Sequence, residues 1–129
     1  MGINRSDAVR TALMDALVTQ RGTSARIEIR TLTNTGSAGV GTLLALITGH
    51  ATQWGTTSAG VLTGSATTAD TSAVAGTAAH YELLTSASTF LEDGLCDVGG
   101  TDGVTIDNAT ITTGQTVQIS GTWNNTAAY

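Results

Sequence analysis

Two histidines, one cysteine and ten acidic residues are the groups in this chain that offer acid–base, thiol or metal-binding chemistry. A hydrolytic or acid–base site needs several such groups to converge in space. His50 lies between Gly49 and Gly55 in a turn-rich connection, and His80 falls on the polar side of an alternating segment. Both read as solvated imidazoles able to pair with an acid. No Gly-x-Ser-x-Gly elbow is present, and no glycine-rich phosphate loop opens a helix after a strand. Cys96 has no local context for a nucleophile. Being single, it excludes an internal disulfide and a cysteine-based zinc site, and it reads as a small buried or half-buried side chain. These features predict no enzyme and no cofactor.

The acidic stretch from Asp93 to Asp107 contains Asp93, Asp97, Asp102 and Asp107 among glycines. Hard oxygen ligands on turns suit calcium, but the spacing matches no calcium loop in full, and Asp-Gly pairs are ordinary β-turn chemistry. Trp54 and Trp123 could offer a sugar-stacking surface; in a chain with five aromatic residues they read instead as core or interface anchors.

Charge is divided along the chain. All five arginines, Arg5, Arg10, Arg21, Arg26 and Arg30, lie in the first thirty residues, and lysine is absent. Asp7, Asp15 and Glu28 offset them, and the acids Asp70, Glu82, Glu92, Asp93, Asp97, Asp102 and Asp107 follow. A formal charge of −5 argues against nucleic acid, whose binding relies on clustered cations. No apolar run approaches the roughly eighteen residues of a membrane span, and no basic-then-apolar signal segment opens the chain. The opening residues Met1 to Ser6 match the short myristoylation pattern, while Asn4 and Ser6 have a simpler use as helix caps.

The elements that must position these groups follow from periodicity. A helix is expected from Asn4 or Ser6 to Arg21, closed by Gly22. Val9, Leu13, Ala16 and Leu17, with Ala12 beside them, form the stripe expected to cover the rest of the chain. A second stripe, Arg10, Met14, Val18 and Arg21, lies on a neighbouring face. It either widens the buried arc, with arginines at its edge, or forms a contact with a partner, where Met and Arg are enriched.

Beyond the helix, Ser24 to Thr33 alternates as a half-buried strand, with Ala25, Ile27, Ile29 and Thr31 opposed to Arg26, Glu28 and Arg30. Thr42 to Thr48 reads as a central strand covered on both faces, with a helical turn as the alternative. Strands are also expected in Thr57 to Ala66, Ala78 to Thr85, Val104 to Ile106, Asn108 to Thr112 and from Val117 to Trp123. Thr89 to Val98 is either one strand bent at Gly94 or a hairpin turning at Glu92-Asp93-Gly94. Thr67 to Gly76 reads as a loop, and Asn124 to Tyr129 as a tail without pattern. About eight short strands predict an antiparallel β-sandwich or barrel with one N-terminal helix. The chain divides into a helical arm, residues 1–22, and a β body, residues 23–129.

Several segments resemble a family of small tailed-bacteriophage virion proteins of the capsid decoration, or cement, type. They are Ser6-Asp7-Ala8-Val9-Arg10-Thr11-Ala12-Leu13, Gly41-Thr42-Leu43-Leu44-Ala45-Leu46, Ser58-Ala59-Gly60-Val61-Leu62-Thr63 and Ala69 to Ala78, with Asp93-Gly94 followed by Val98-Gly99. The loop Asn34 to Ala38 and the tail after Trp123 depart from that pattern. The resemblance implies a jelly-roll-like β body with a helical arm, and a structural role on the capsid exterior after assembly in the host cytoplasm. The major capsid protein is then the expected partner and a homotrimer the expected assembly, with Arg10, Met14, Val18 and Arg21 as the candidate contact. An adhesion module of the tail or head fibre, binding host glycans, is the alternative.

Overall fold

The computed structural model describes residues 3–22, 24–33, 36–49, 61–64, 67–97, 104–119 and 123–126. The helix α1 spans Asp7–Arg21. Its cap is Ser6, in extended conformation, whose Oγ accepts the Val9 amide at 3.4 Å. Asp7 in the first turn suits the positive end of the helix dipole and pairs with Arg10. Gly22 ends the helix at φ 67°, a conformation that side chains with a Cβ rarely adopt.

The fold is mainly β. Its strands are β1 (Arg26–Arg30), β2 (Leu43–Gly49), β3 (Val61–Gly64), β4 (Thr67–Thr68), β5 (Gly76–Thr77), β6 (His80–Leu84), β7 (Phe90–Asp97), β8 (Val104–Thr105), β9 (Thr110–Ile111) and β10 (Trp123–Thr126). Six of them form one curled sheet in the order β4-β2-β1-β6-β7-β8. All its pairs are antiparallel except β7–β8, so the sheet is mixed. Two ribbons, β3–β10 and β5–β9, complete the described strands.

Register places the apolar alternation of each strand on one side. Ile27 lies between Ile47 and Leu83, and Ile29 between Ala45 and Tyr81. Together with Ala25, Leu44, Cys96, Val104, Ile106, Ile111, Val117 and Ile119 they form a single aliphatic core. Cys96 is buried there, as its type suggested.

The structure corrects several expectations. The segment after residue 66 is not simply a loop, because it runs beside β2. Thr67 and Thr68 pair with Gly49 and Thr48, Val74 N donates to the Leu44 carbonyl, and Ala73 is buried. Asp70 holds this segment in place, its carboxylate accepting the amides of Leu46 and Ser72 and the Ser72 hydroxyl. Burial works against the Asp70 charge, but these bonds outweigh it and keep the carboxyl below its ordinary range. The tail is not patternless either, since Asn124, Asn125 and Thr126 pair with Thr63, Leu62 and Val61.

Phe90 to Asp97 is one strand, and its hairpin turns at Thr85–Thr89, where Ser88 has φ 65°. Gly94 sits inside β7 opposite Tyr81, and the Tyr81 ring occupies the space above it. A Cβ at Gly94 would lie 2.7 Å from Tyr81 Cε1. Gly94→Ala is therefore expected to destabilise the fold by about 1–3 kcal/mol. Urea unfolding checks this, and a Tyr81→Leu background should remove much of the penalty.

Candidate functional site

The helix was the first candidate; of its second stripe the buried reading holds, while of the first stripe only Leu17 faces inward. Met14 and Arg21 are buried, Arg10, Leu17 and Val18 are half-buried, and Met14 packs with Leu17 and Val18 where α1 lies against β3 and β7. Val9 and Leu13, expected to cover the β body, are 49% and 45% exposed, and Ala12 and Ala16 are exposed beside them. The stripe Arg10, Met14, Val18 and Arg21 thus faces this chain's own body, and the outward apolar face is Val9, Ala12, Leu13 and Ala16.

The end of the helix is tied to a residue seventy-one positions away. Arg21 donates through a terminal guanidinium nitrogen to Glu92 Oε1 at 2.9 Å, with its side chain wholly out of solvent. Burial lowers the Arg21 guanidinium to about 10 while Glu92 opposes that fall, so it is charged at neutral pH. The Tyr81 hydroxyl also reaches Glu92 Oε1, at 3.4 Å. Burial pushes the Tyr81 phenol up, and the neighbouring Glu92 charge adds to the rise.

A second cluster lies on the sheet face opposite the aliphatic core. The register sets Glu28 of β1 beside Glu82 of β6 and Arg30 beside His80, with Asp93 of β7 next to Glu82. Two carboxylates directly opposite each other repel. Arg30 lies between them, donating through Nε and a terminal nitrogen to Glu28 Oε2 at 3.0 and 2.7 Å, with Nε also 3.4 Å from Glu82 Oε2. Arg26 reaches Glu28 Oε1 from the other side at 3.2 Å.

Glu28 is 6% exposed, and Glu82 and His80 are 0% exposed. The strand β1 is therefore buried on both faces rather than half-buried. His80, expected to be solvated, instead has Nδ1 2.6 Å from the Leu32 carbonyl oxygen and Nε2 3.3 Å from Glu82 Oε1. The cover comes from the β1–β2 connection. Gly39 N and Val40 N donate to the two Glu82 oxygens at 2.9 and 3.0 Å, Gly36 N donates to Asp93 Oδ2 at 2.7 Å, and Arg30 donates to the Gly41 carbonyl at 3.0 Å. Burial alone would raise the Glu82 carboxyl; the amides of Gly39 and Val40, then His80 and Arg30, outweigh it and hold it below the ordinary glutamate range.

These charges are thus engaged with one another and with backbone. Among the described residues no three His, Cys, Asp or Glu side chains are placed to hold a metal ion. Asp93 accepts an amide of this chain. Asp102, His50 and Trp54 lie outside the described residues, as does the side chain of Trp123. A cleft between Asp107-Asn108 and Gln115–Gln118 has a volume of about 10 Å³, room for a water-sized group. No described helix is long and apolar enough to cross a membrane.

Sequence reasoning found the alternation that puts Glu28 and Arg30, or His80 and Glu82, on a polar side. It missed that the two strands pair with those sides together under a cover. No family model matches the chain, and no match was found among curated proteins or solved structures.

The Arg21–Glu92 pair generates an asymmetric prediction. Glu92→Gln leaves a buried guanidinium without its carboxylate and is expected to cost about 2–3 kcal/mol, whereas Arg21→Met removes the charge, keeps the apolar stem and should cost about 1 kcal/mol or less. Urea denaturation of the two variants checks it, and equal losses would contradict the dominance of desolvation.

Proposed function

We propose that this chain is a non-enzymatic structural protein of a phage virion, a decoration or cement protein that binds and stabilises the head lattice from outside. The observation that carries the reading is the helix with two apolar faces. One is used on the chain's own body, and the other, Val9, Ala12, Leu13 and Ala16, points outward. A protein that clamps a lattice needs a rigid body and an outward contact surface. The sheet supplies the first and the outer helix face the second. The likeness of the segments from Ser6 to Leu13 and from Ala69 to Ala78 to small virion proteins supports the same reading.

In this proposal the partner is the major capsid protein, and the copies assemble as a homotrimer. The contact moves from the Met14 stripe to the Val9 and Leu13 stripe. Four of the five arginines are no longer offered to a partner as a cationic patch, because Arg10, Arg21, Arg26 and Arg30 pair with Asp7, Glu92, Glu28 and Glu82 of this chain.

Image reconstruction of capsids mixed with the protein tests the role directly. Ordered density at a local symmetry axis, with α1 against capsid subunits, is the expected result. Bare capsids would overturn the proposal and move the reading to a glycan-binding adhesion module. Val9→Asp and Leu13→Asp should each lower capsid affinity by about tenfold or more with little change in melting temperature. Met14→Asp, by contrast, should detach the helix from the body and lower stability.

A further inference from the structure

The β1–β2 connection is attached to the sheet in an unusual way. Residues 36–41 lie over the polar faces of β1, β6 and β7, and each described bond holding them ends on an ionisable side chain. Gly36 N is held by Asp93, Gly39 N and Val40 N by Glu82, and the Gly41 carbonyl by Arg30. At the root, the Leu32 carbonyl is held by buried His80, and Thr31 and Thr42 close the base through their backbone and the Thr31 hydroxyl. Gly36, Gly39 and Gly41 have φ of 76°, 76° and 73°, so this path is open to glycine where most side chains would be strained. Gly36, Ser37, Ala38, Gly39 and Gly41 are exposed, and Val40 is half-buried. The segment thus has little apolar burial to retain it if its polar bonds fail.

We propose that residues 36–41 form an acid-released strap, clasped by the Glu82 carboxylate at neutral pH and freed on its protonation while the sheet beneath stays paired. Glu82 accepts two amides of the strap at once, one on each oxygen, so a single proton weakens both bonds. Arg30 and Glu28 face it from β1, His80 from its own strand and Asp93 from β7, while the β2 residue opposite Glu28 is the uncharged Leu46. The strands have their own antiparallel ladders on either side of β1 and an aliphatic core behind them, neither of which loses a bond when Glu82 is protonated. Release would uncover a face bearing Glu28, Arg30 and His80.

The direction with pH follows from a carboxyl held low in the folded state. Its contribution is fully present above the ordinary glutamate range and is lost as the pH falls through the lower folded value. Amide hydrogen exchange by NMR on the intact chain tests this, read as protection factors from about pH 7 to about pH 3. Gly39 and Val40 are expected to lose at least about tenfold protection at a pH where Ile27, Ile29 and Leu83 remain protected. Glu82→Gln should show that loss already at neutral pH, and if this variant does not fold, the titration of the unmodified protein decides alone. Protection at Gly39 and Val40 that persists after the Glu82 carboxyl carbon shift reports protonation, or that collapses together with the sheet amides, overturns the proposal.

Discussion

Glu82 is a carboxylate with no solvent access, and the surrounding structure is organised to keep it charged. An isolated buried charge costs several kcal/mol or more and persists only when paired and hydrogen-bonded. Here the compensation is spread over three elements: Arg30 from β1, His80 from β6, and two amides of the β1–β2 connection. That requirement explains why the connection folds back over the sheet, why glycines occupy its left-handed positions, and why Arg30 leaves solvent to lie between two glutamates. The pairing of β1 with β6 makes the arrangement necessary, because it sets Glu28 directly opposite Glu82. Without the guanidinium between them, the register that packs Ile27 and Ile29 into the core would force two like charges together on the other face.

The same logic governs the helix. Its apolar residues describe two stripes, and hydrophobicity favours the one with Val9, Leu13 and Leu17 as the inner face. The structure instead turns Met14, Leu17 and Val18 inward, on the side where Arg21 meets Glu92, and leaves Val9 and Leu13 exposed. A buried ion pair stabilises weakly in net terms, yet a wrong orientation that left Glu92 or Arg21 buried alone would be costly. The pair therefore selects the orientation more than it strengthens the contact. An aliphatic surface is left facing out, and the proposed capsid contact rests on it.

The strap and the outer helix face belong to different parts of the molecule. One depends on charges buried under a short glycine-rich connection, the other on apolar side chains that the fold does not use. Only the second bears on lattice binding, so the two proposals stand or fall on separate observations.

Much of the fold was legible in local pattern. Ser6 and Gly22 bound the helix, and the alternations around Ile27 and Leu83 locate strands whose inner residues are in the core, whereas Val117 and Ile119, expected in a strand, are buried but held by isolated bridges to Asp70 and Ile106. Periodicity reveals such faces because residues two apart in a strand, or three and four apart in a helix, share a side whatever the rest of the chain does. It does not reveal what covers the side. His80 and Glu82 sit on a polar face that reads as solvated, and Arg21 on a stripe that reads equally as the edge of a buried arc or as a partner contact, since their partners Leu32, Gly39, Val40 and Glu92 are distant in sequence. By itself, then, the sequence determined which residues share a face and where the helix begins and ends. Tertiary structure alone decided which faces are buried, because burial depends on which distant segment supplies the matching charge or amide.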